Sequence, residues 1–163
     1  MSPTATEQYI EILTRLKPGD LGLLRMHAGQ GLDESVPGFD LFAGLWWPLQ
    51  NKSQFAPRRE VAWLVAKLYA FSPIQHSAGD TLACQLRRCV PQDPVGRARF
   101  NRRFDEILLA PLDKIEPALR WGLRQVADND KVKSLDWVRL TNDLSWWQRE
   151  EIRHTWAKES IGE

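Results

Sequence analysis

Arginine side chains are concentrated in one short part of this sequence. Residues 85–103 contain six arginines and a single acidic residue, Asp93, in a chain whose formal net charge is only +1. The planar guanidinium group of arginine makes paired, charge-assisted hydrogen bonds to phosphate. A local excess of this kind is typical of a surface that faces phosphate, and it also fits an ordinary solvated helix face. The chemistry indicated here is therefore contact with a nucleic-acid backbone, with a solvated helix as the alternative.

The sequence offers little for catalysis or metal binding. The three histidines are far apart and match no metal-ligand spacing, and no glycine-rich phosphate loop or nucleophile elbow is present. Cys84 and Cys89 form no zinc pair, and five residues of helix turn them about 140° apart, which disfavours a disulfide. Asp128 and Asp130 could hold Mg²⁺, but a solvated polar loop explains them better. We therefore predict no enzymatic activity, no metal and no cofactor.

Length and composition indicate an ordinary globular protein. The chain has 163 residues, of which 43% are hydrophobic and 26% charged, and this is enough to bury a core. No apolar run approaches the roughly 20 residues that a membrane span needs, and residues 1–4 lack the features of a signal peptide. Together with the unpaired cysteines, these features predict a cytoplasmic protein that makes no contact with a membrane.

Helical periodicity recurs along the chain, whereas signals for β-strands are weak. We predict an all-α fold of about eight or nine helices in two small helical bundles. The N-terminal subdomain is predicted at 1–76 and the C-terminal subdomain at 77–163. One helix of the first subdomain is predicted to begin at Pro37. Three aspartates are predicted to cap helices at their N-termini: Asp20, Asp80 and Asp113.

The predicted helices place the arginines away from the apolar stripes. At 100° per residue, the helix after Pro94 gathers its apolar residues within about 100° on one side, and its arginines lie opposite. In the preceding helix Arg88 lies opposite the apolar stripe and Arg87 flanks it. The short connection at 91–94 keeps the ends of the two helices near each other. The apolar residues of the second helix are Phe100, Phe104, Ile107 and Leu108, and the arginines opposite are Arg99, Arg102 and Arg103.

Three of the eight tryptophans lie within eleven residues near the end of the chain. The sequence Ser-Trp-Trp-Gln at 145–148 forms a capping-box pattern, which predicts that the last helix begins at Trp146. On that helix Trp146 would face the core, whereas Trp147 would point to the other side and need a second surface. The alternative is that both tryptophans belong to the core and hold two helices together. Arg149 and Arg153 would then lie along Trp156 in cation–π contacts or extend to phosphates.

The same segment resembles a known family. A Leu-Asp-Trp at 135–137 that opens one helix, followed by Trp-Trp at 146–147 that opens the next, is similar to the C-terminal end of CasB. CasB is the small subunit of the type I-E CRISPR surveillance complex, Cascade. The Gly-Asp-Leu-Gly-Leu-Leu-Arg at 19–25 and the arginine-rich helices at 86–103 also resemble segments of this family. Where the family often has a second arginine, this chain has Met26.

The resemblance implies an all-α, non-catalytic protein of the antiviral CRISPR system. It implies two copies that lie head-to-tail along Cascade, beside the subunits that hold the guide RNA. Their basic surfaces would hold the target strand and the displaced non-target DNA strand, and so stabilise the R-loop. Strand exchange in an R-loop is nearly balanced, so modest backbone contacts can decide it. The nucleic-acid-binding residues expected from the resemblance are Arg25, Arg87, Arg88, Arg99, Arg102, Arg103, Arg139 and Arg149.

Two other functions stay open from the residues alone. One is a helical scaffold that binds only protein, with Trp147 and the Trp46–Trp47 pair as its contact points. The other is a nuclease or similar enzyme of unrecognised type, which would require metal-dependent turnover. Salt separates nucleic-acid binding from the scaffold, because contacts with phosphate weaken steeply as the salt concentration rises and apolar contacts do not.

Overall fold

The computed structural model describes residues 4–30, Trp46 and residues 57–162. Eight α-helices lie in this part of the chain, with only one pair of two-residue strands. The prediction of an all-α fold is therefore confirmed. The helix predicted at Pro37 lies outside the described residues.

The contacts divide the chain into two compact units, Met1–Pro73 and Ile74–Glu163. Residues 74–76, which the sequence assigns to the N-terminal subdomain, belong by their contacts to the second unit. They include strand β1 (Gln75–His76), which pairs in parallel with β2 (Ser134–Leu135) of the same unit.

Three helices are described in the first unit: α1 (Ala5–Thr14), α2 (Pro18–Arg25) and α3 (Arg59–Phe71). The prediction that Asp20 caps α2 is wrong, because the helix already begins at Pro18 and Asp20 lies inside its first turn. Proline is well suited to this first position, since the N–H that it lacks has no partner within a helix anyway.

Helix α3 forms the buried centre of the first unit. Every residue from 61 to 70 is buried, and the helix packs against α2. The buried hydroxyl of Tyr9 on α1 donates to the carbonyl oxygen of Ala62 at 2.6 Å. Helix α3 ends at Phe71, just before Ser72 and Pro73, because the residue before a proline is pushed out of helical geometry.

Five further α-helices and one short 3₁₀-helix belong to the second unit. Its core contains the tryptophans at 137, 147 and 156 together with the apolar side of the longest helix. The elements are α4 (Leu82–Cys89), α5 (Pro94–Leu109), the 3₁₀-helix (Leu112–Lys114), α6 (Glu116–Asp128), α7 (Trp137–Ser145) and α8 (Glu150–Ile161).

Helix α4 is capped by Thr81, so the prediction that Asp80 caps it is wrong. The hydroxyl of Thr81 accepts a hydrogen bond from the backbone N–H of Cys84. The carboxylate of Asp80 instead accepts a hydrogen bond from the hydroxyl of Ser134, beside the strand pair. The Asp80 side chain is thus used to join two distant parts of the chain, which local sequence spacing does not reveal.

The start of α5 follows its sequence, whereas the predicted start of α6 is wrong. Asp93 caps α5 by accepting from the backbone N–H of Gly96 at 2.7 Å, and Pro94 occupies the first helical position. Asp113 lies inside the 3₁₀-helix and caps nothing, and α6 begins only after Ile115. Pro111 comes just before the 3₁₀-helix, and Pro117 lies in the first turn of α6, so this stretch forms two separate helices.

The capping box predicted at 145–148 is also wrong. Helix α7 continues to Ser145, whose hydroxyl donates to the carbonyl oxygen of Thr141 within the same helix. A turn over 146–149 follows, and α8 begins only at Glu150. Because of this shift, Trp147 is buried in the core whereas Trp146 is 49% exposed, the reverse of the predicted orientation.

Candidate nucleic-acid interface

Helix α5 carries its arginines on the side opposite the core. Phe100 and Phe104 are buried, whereas Arg99, Arg102 and Arg103 are all exposed. The amphipathic pattern read from the sequence therefore gives the correct faces. We call the five arginines of α4 and α5 that the sequence analysis selected, all of which are exposed, the arginine surface: Arg87, Arg88, Arg99, Arg102 and Arg103.

The arginines of α5 differ in how they are neutralised. Arg99 and Arg102 make no hydrogen bond or ion pair with any residue that the structure describes. Arg103 Nε lies 3.7 Å from Glu106 Oε2, and its guanidinium lies 5.4 Å from the ring centroid of Trp121. Arg99 and Arg102 thus keep all of their N–H donors available for an external anion, whereas Arg103 is partly engaged.

The two arginines of α4 are exposed as well, but only one is unengaged. Arg88 has no ion pair within the described part of the chain. Arg87 lies against Gly162, the left-handed residue that ends α8, so closely that a Cβ on this glycine would come 2.7 Å from Arg87 Cζ. A cation at a helix C-terminus interacts favourably with the free carbonyl groups there. Arg87 therefore has a structural role besides any external one.

Arg25 belongs to the first unit and forms a separate candidate contact. It is exposed at the last residue of α2, and its Nη1 donates to the carbonyl oxygen of Ala70 on α3 at 3.2 Å. One hydrogen bond uses only part of the guanidinium fork, which has five N–H donors. Met26, which occupies the place of the family's second arginine, is 75% exposed and offers no charge.

Arg139 is tied into the protein itself. Its Nε donates to both carboxylate oxygens of Asp143, at 3.1 and 2.9 Å, and its Nη2 donates to Glu159 at 3.1 Å. Asp143 is buried and also accepts from Trp156 Nε1 at 2.7 Å. Two carboxylates neutralise this guanidinium, so we leave Arg139 out of the candidate interface and call it, with Asp143 and Glu159, the Arg139 cluster.

The ionisation of the Arg139 cluster reflects its burial. Burial alone lowers the pKa of Arg139, but the charges of Asp143 and Glu159 outweigh this effect, so its pKa is raised. Burial raises the pKa of Asp143, and the hydrogen bond from Trp156 and the charge of Arg139 oppose this rise without cancelling it. The hydrogen bonds that Asp143 accepts are those of a carboxylate, which fits an ionised pair with Arg139.

Two further arginines stack on the adjacent tryptophans of the turn. Arg149 Cζ lies 4.2 Å from the ring centroid of Trp146, and Arg153 Cζ lies 5.7 Å from that of Trp147. The prediction that they lie along Trp156 is wrong, because α8 begins four residues later than expected. The ring of Trp156 instead packs edge-on against Trp147, with centroids 5.0 Å apart.

Two of the three contact points suggested for a protein-binding scaffold lie in the described residues, and neither is exposed. Trp147 is 1% exposed, and its Nε1 donates to the carbonyl oxygen of Ala110. Trp46 is 8% exposed and donates to the carbonyl oxygen of Pro57 at 2.6 Å. Trp47 lies outside the described residues. Both described tryptophans therefore serve the core of this chain.

Sequence reasoning missed two exposed side chains. Arg97 is not among the residues selected from the sequence, because at 100° per residue it falls near the apolar side of α5, at the start of the helix. In the structure it is exposed, and its Nη2 donates to the carbonyl oxygen of Gln92. Its place in the first turn, only four residues after the cap Asp93, is the signal that could have shown this. The exposure of Trp146 had no such signal, because it depends on where α8 begins.

The described part of the chain offers no cluster of metal ligands. No group of three or more His, Cys, Asp or Glu there could hold a metal ion. A groove of about 390 Å³ between α4, α5 and α8 is lined mainly by apolar side chains, with Asp105 as its only carboxylate. Cys84 and Cys89 are both free. Among the described helices, none is long and apolar enough to cross a membrane.

Comparison with known proteins places this architecture in a family. The model of the family described as CRISPR-associated protein Cse2 matches residues 20–159. A CRISPR-associated protein Cse2 from Thermus thermophilus is 34% identical over 106 residues, which amount to 64% of this chain. The matched stretch spans 57% of the length of that curated relative.

Solved structures agree with this match. CasB from M. ruber superposes with a TM-score of 0.74 over 99% of this chain and 94% of that one, at 21% sequence identity, which shows the shared fold. CasB from Thermus thermophilus superposes with a TM-score of 0.70 over 100% of both chains, at 27% identity. The resemblance read from the tryptophan segment is therefore confirmed, and the chain belongs to the Cse2 (CasB) family of CRISPR-associated proteins.

Proposed function

We propose that this protein is a non-catalytic small subunit of a type I-E Cascade complex. It binds the nucleic-acid backbone through its arginine surface and so stabilises the R-loop during antiviral defence. Its ligands are the target strand and the displaced DNA strand. Its other partners are the remaining Cascade subunits with their guide RNA and a second copy of itself, in the cytoplasm.

The observation that carries this proposal is the set of unpaired arginines on α4 and α5. Arg88, Arg99 and Arg102 are exposed and have no carboxylate partner within the described residues. When these guanidinium groups bind the phosphates of a strand, they release the counterions held there, and this release favours binding. Such contacts fix the strand without reading its bases. This suits an R-loop, whose sequence changes with every guide.

Physical reasoning explains why so small a surface is sufficient. The heteroduplex in an R-loop is about as stable as the DNA duplex that it replaces, so the exchange is nearly balanced. A few backbone contacts that exist only once the strands are separated then shift the equilibrium towards the open state. The role requires no bond to be made or broken.

The test is a salt-dependent titration of single-stranded DNA. A fluorescently labelled strand of about 20 nucleotides is followed by anisotropy between about 50 and about 200 mM salt. Wild type is expected to bind tightly at low salt and to lose affinity steeply as salt rises, whatever the sequence. The R99E/R102E variant is expected to lose binding while its circular dichroism spectrum stays unchanged.

A matched control makes this test specific. K131E/K133E makes the same change in net charge at two exposed lysines outside the arginine surface, and it is expected to bind almost as wild type does. Equal losses in both variants would mean that net charge alone drives binding. Unchanged binding by R99E/R102E would place the site elsewhere, and binding insensitive to salt would contradict phosphate contact.

A further inference from the structure

The adjacent tryptophans of the turn have different surroundings although both are stacked by an arginine. Trp147 is buried and its N–H is satisfied by Ala110, so it is part of the core. Trp146 is 49% exposed, and the guanidinium of Arg149 lies over its ring. Apart from the Arg149 guanidinium, the Trp146 side chain has no hydrogen bond or ring contact with the described residues. The open part of this ring is therefore available to a ligand.

Both stacked arginines lack a neutralising partner. Neither Arg149 nor Arg153 forms an ion pair with any described residue, and Arg153 Nε is buried without a hydrogen-bond partner. Like charges four residues apart at a helix surface repel each other. Glu150, which follows Arg149 in the sequence, is exposed and forms an ion pair with neither arginine. Helical geometry turns Glu151 about 160° away from Arg153. The site therefore combines an open aromatic ring with positive charge that is not neutralised.

We propose that Trp146, Arg149 and Arg153 form a binding site for one unpaired nucleotide of a single strand. The base stacks on the exposed part of the Trp146 ring, and its phosphate is held by the two guanidinium groups. Every base has a π-face, so this contact is tolerant of sequence. A base within a duplex is already stacked on both sides and cannot enter. The inference rests on the proposed function and narrows its ligand to a separated strand.

The position of the turn favours a nucleic acid over a protein as the occupant. The hydrogen bond from Trp147 to Ala110 fixes the turn at the C-terminal end of α5, the helix that carries Arg99 and Arg102. Eight residues of helix separate Arg102 from Ala110, a rise of about 12 Å. Along the axis of α5, the turn that carries Trp146 is therefore only a few nucleotide lengths from these arginines. Tryptophan and arginine also occur in protein interfaces, which the test distinguishes.

The test compares two strands that have the same number of phosphates. One is an oligothymidine of about 20 nucleotides, and the other is an abasic strand of equal length. Wild type is expected to bind oligothymidine more tightly, and W146L is expected to lose about tenfold in affinity for oligothymidine alone. W146F is expected to restore most of the difference, because phenylalanine keeps an aromatic face whereas leucine keeps only the apolar bulk.

Controls separate this inference from the proposed function. L109A removes another exposed apolar side chain, which is 79% exposed at the end of α5, and is expected to bind both strands as wild type does. Equal affinity of W146L and wild type for oligothymidine, with binding lost in R99E/R102E, would overturn the stacking site and leave the arginine surface intact. A change in sedimentation of W146L without a change in binding would assign Trp146 to contact between protein copies instead. No binding of either strand by wild type would overturn both proposals.

Discussion

Two arginines of the second unit have the same local sequence spacing and opposite environments. Arg139 is followed four residues later by Asp143, and Arg102 is followed four residues later by Glu106. On a helix, both pairs are spaced to form an ion pair. The first pair is formed, with Nε–O distances of 3.1 and 2.9 Å, whereas Arg102 has no partner among the described residues.

Burial of the carboxylate explains the difference. Asp143 is 6% exposed and is fixed by the N–H of Trp156, so Arg139 finds an acceptor that cannot move away. Glu106 is exposed and lies near Arg103 instead, at 3.7 Å. An exposed ion pair gains little because water screens it and two long side chains lose freedom. Spacing thus predicts which charges can meet, but burial decides which arginine is left for a ligand.

The largest expected effect is on the Arg139 cluster. D143A should lower the free energy of unfolding by about 3 kcal/mol, because it removes one charge of a largely buried pair and leaves the N–H of Trp156 without an acceptor. Urea unfolding followed by circular dichroism measures this loss. A loss below about 1 kcal/mol would mean that the cluster resembles an exposed pair, and the comparison would fail.

The first unit supplies a matched control for this variant. Glu11 and Arg15 are also four residues apart on one helix, and their side chains are 53% and 77% exposed. E11A is expected to change the free energy of unfolding by no more than about 0.5 kcal/mol. Both variants remove the carboxylate of an ion pair four residues apart, but only Asp143 is buried and accepts a further hydrogen bond from Trp156.

An intermediate effect is expected on binding at the arginine surface. Each phosphate contact on a single strand contributes about 0.7 to the slope of log affinity against log salt concentration. The double variant R99A/R102A should therefore lower this slope by about 1.4 and leave the free energy of unfolding unchanged. Anisotropy titrations at several salt concentrations measure the slope.

Arg139 provides the contrast for that slope. R139Q should lower stability, because it removes the cation from two carboxylates, yet the folded protein should keep the salt dependence of wild type. A slope that falls in R139Q as much as in a single arginine variant of α5 would show that Arg139 reaches the nucleic acid after all.

The sequence predicts the helices and their faces well because these depend on local periodicity. The apolar stripe of α5 and its exposed arginines follow from 3.6 residues per turn, and α7 begins at Trp137, where the Leu-Asp-Trp pattern predicts that a helix opens. Some of the failures involve side chains that form hydrogen bonds with distant residues. Asp80 bonds to Ser134 and not to its own helix, and no local pattern contains that information.

The tryptophan turn shows how a small local error changes a site. The Ser-Trp-Trp-Gln pattern at 145–148 fits a capping box, but Ser145 bonds to Thr141 within α7 and the next helix starts later. A shift of four residues turns Trp147 into the core and leaves Trp146 in solvent. The candidate stacking site is therefore visible only in the structure, although its three residues lie within positions 146–153.

The smallest expected effect concerns Glu106, whose negative charge partly neutralises the arginine surface. E106Q removes the negative charge beside Arg103. We expect the affinity for single-stranded DNA at low salt to rise about twofold, because exposed ion pairs contribute under about 1 kcal/mol. The gain should disappear at high salt because the effect is electrostatic.

D130N, which removes an exposed charge from a loop, should give no comparable gain. If both variants gain equally, net charge governs binding, and the carboxylate beside Arg103 has no special part in it. If only E106Q gains, the availability of each arginine depends on its own carboxylate neighbour, as it does at Arg139.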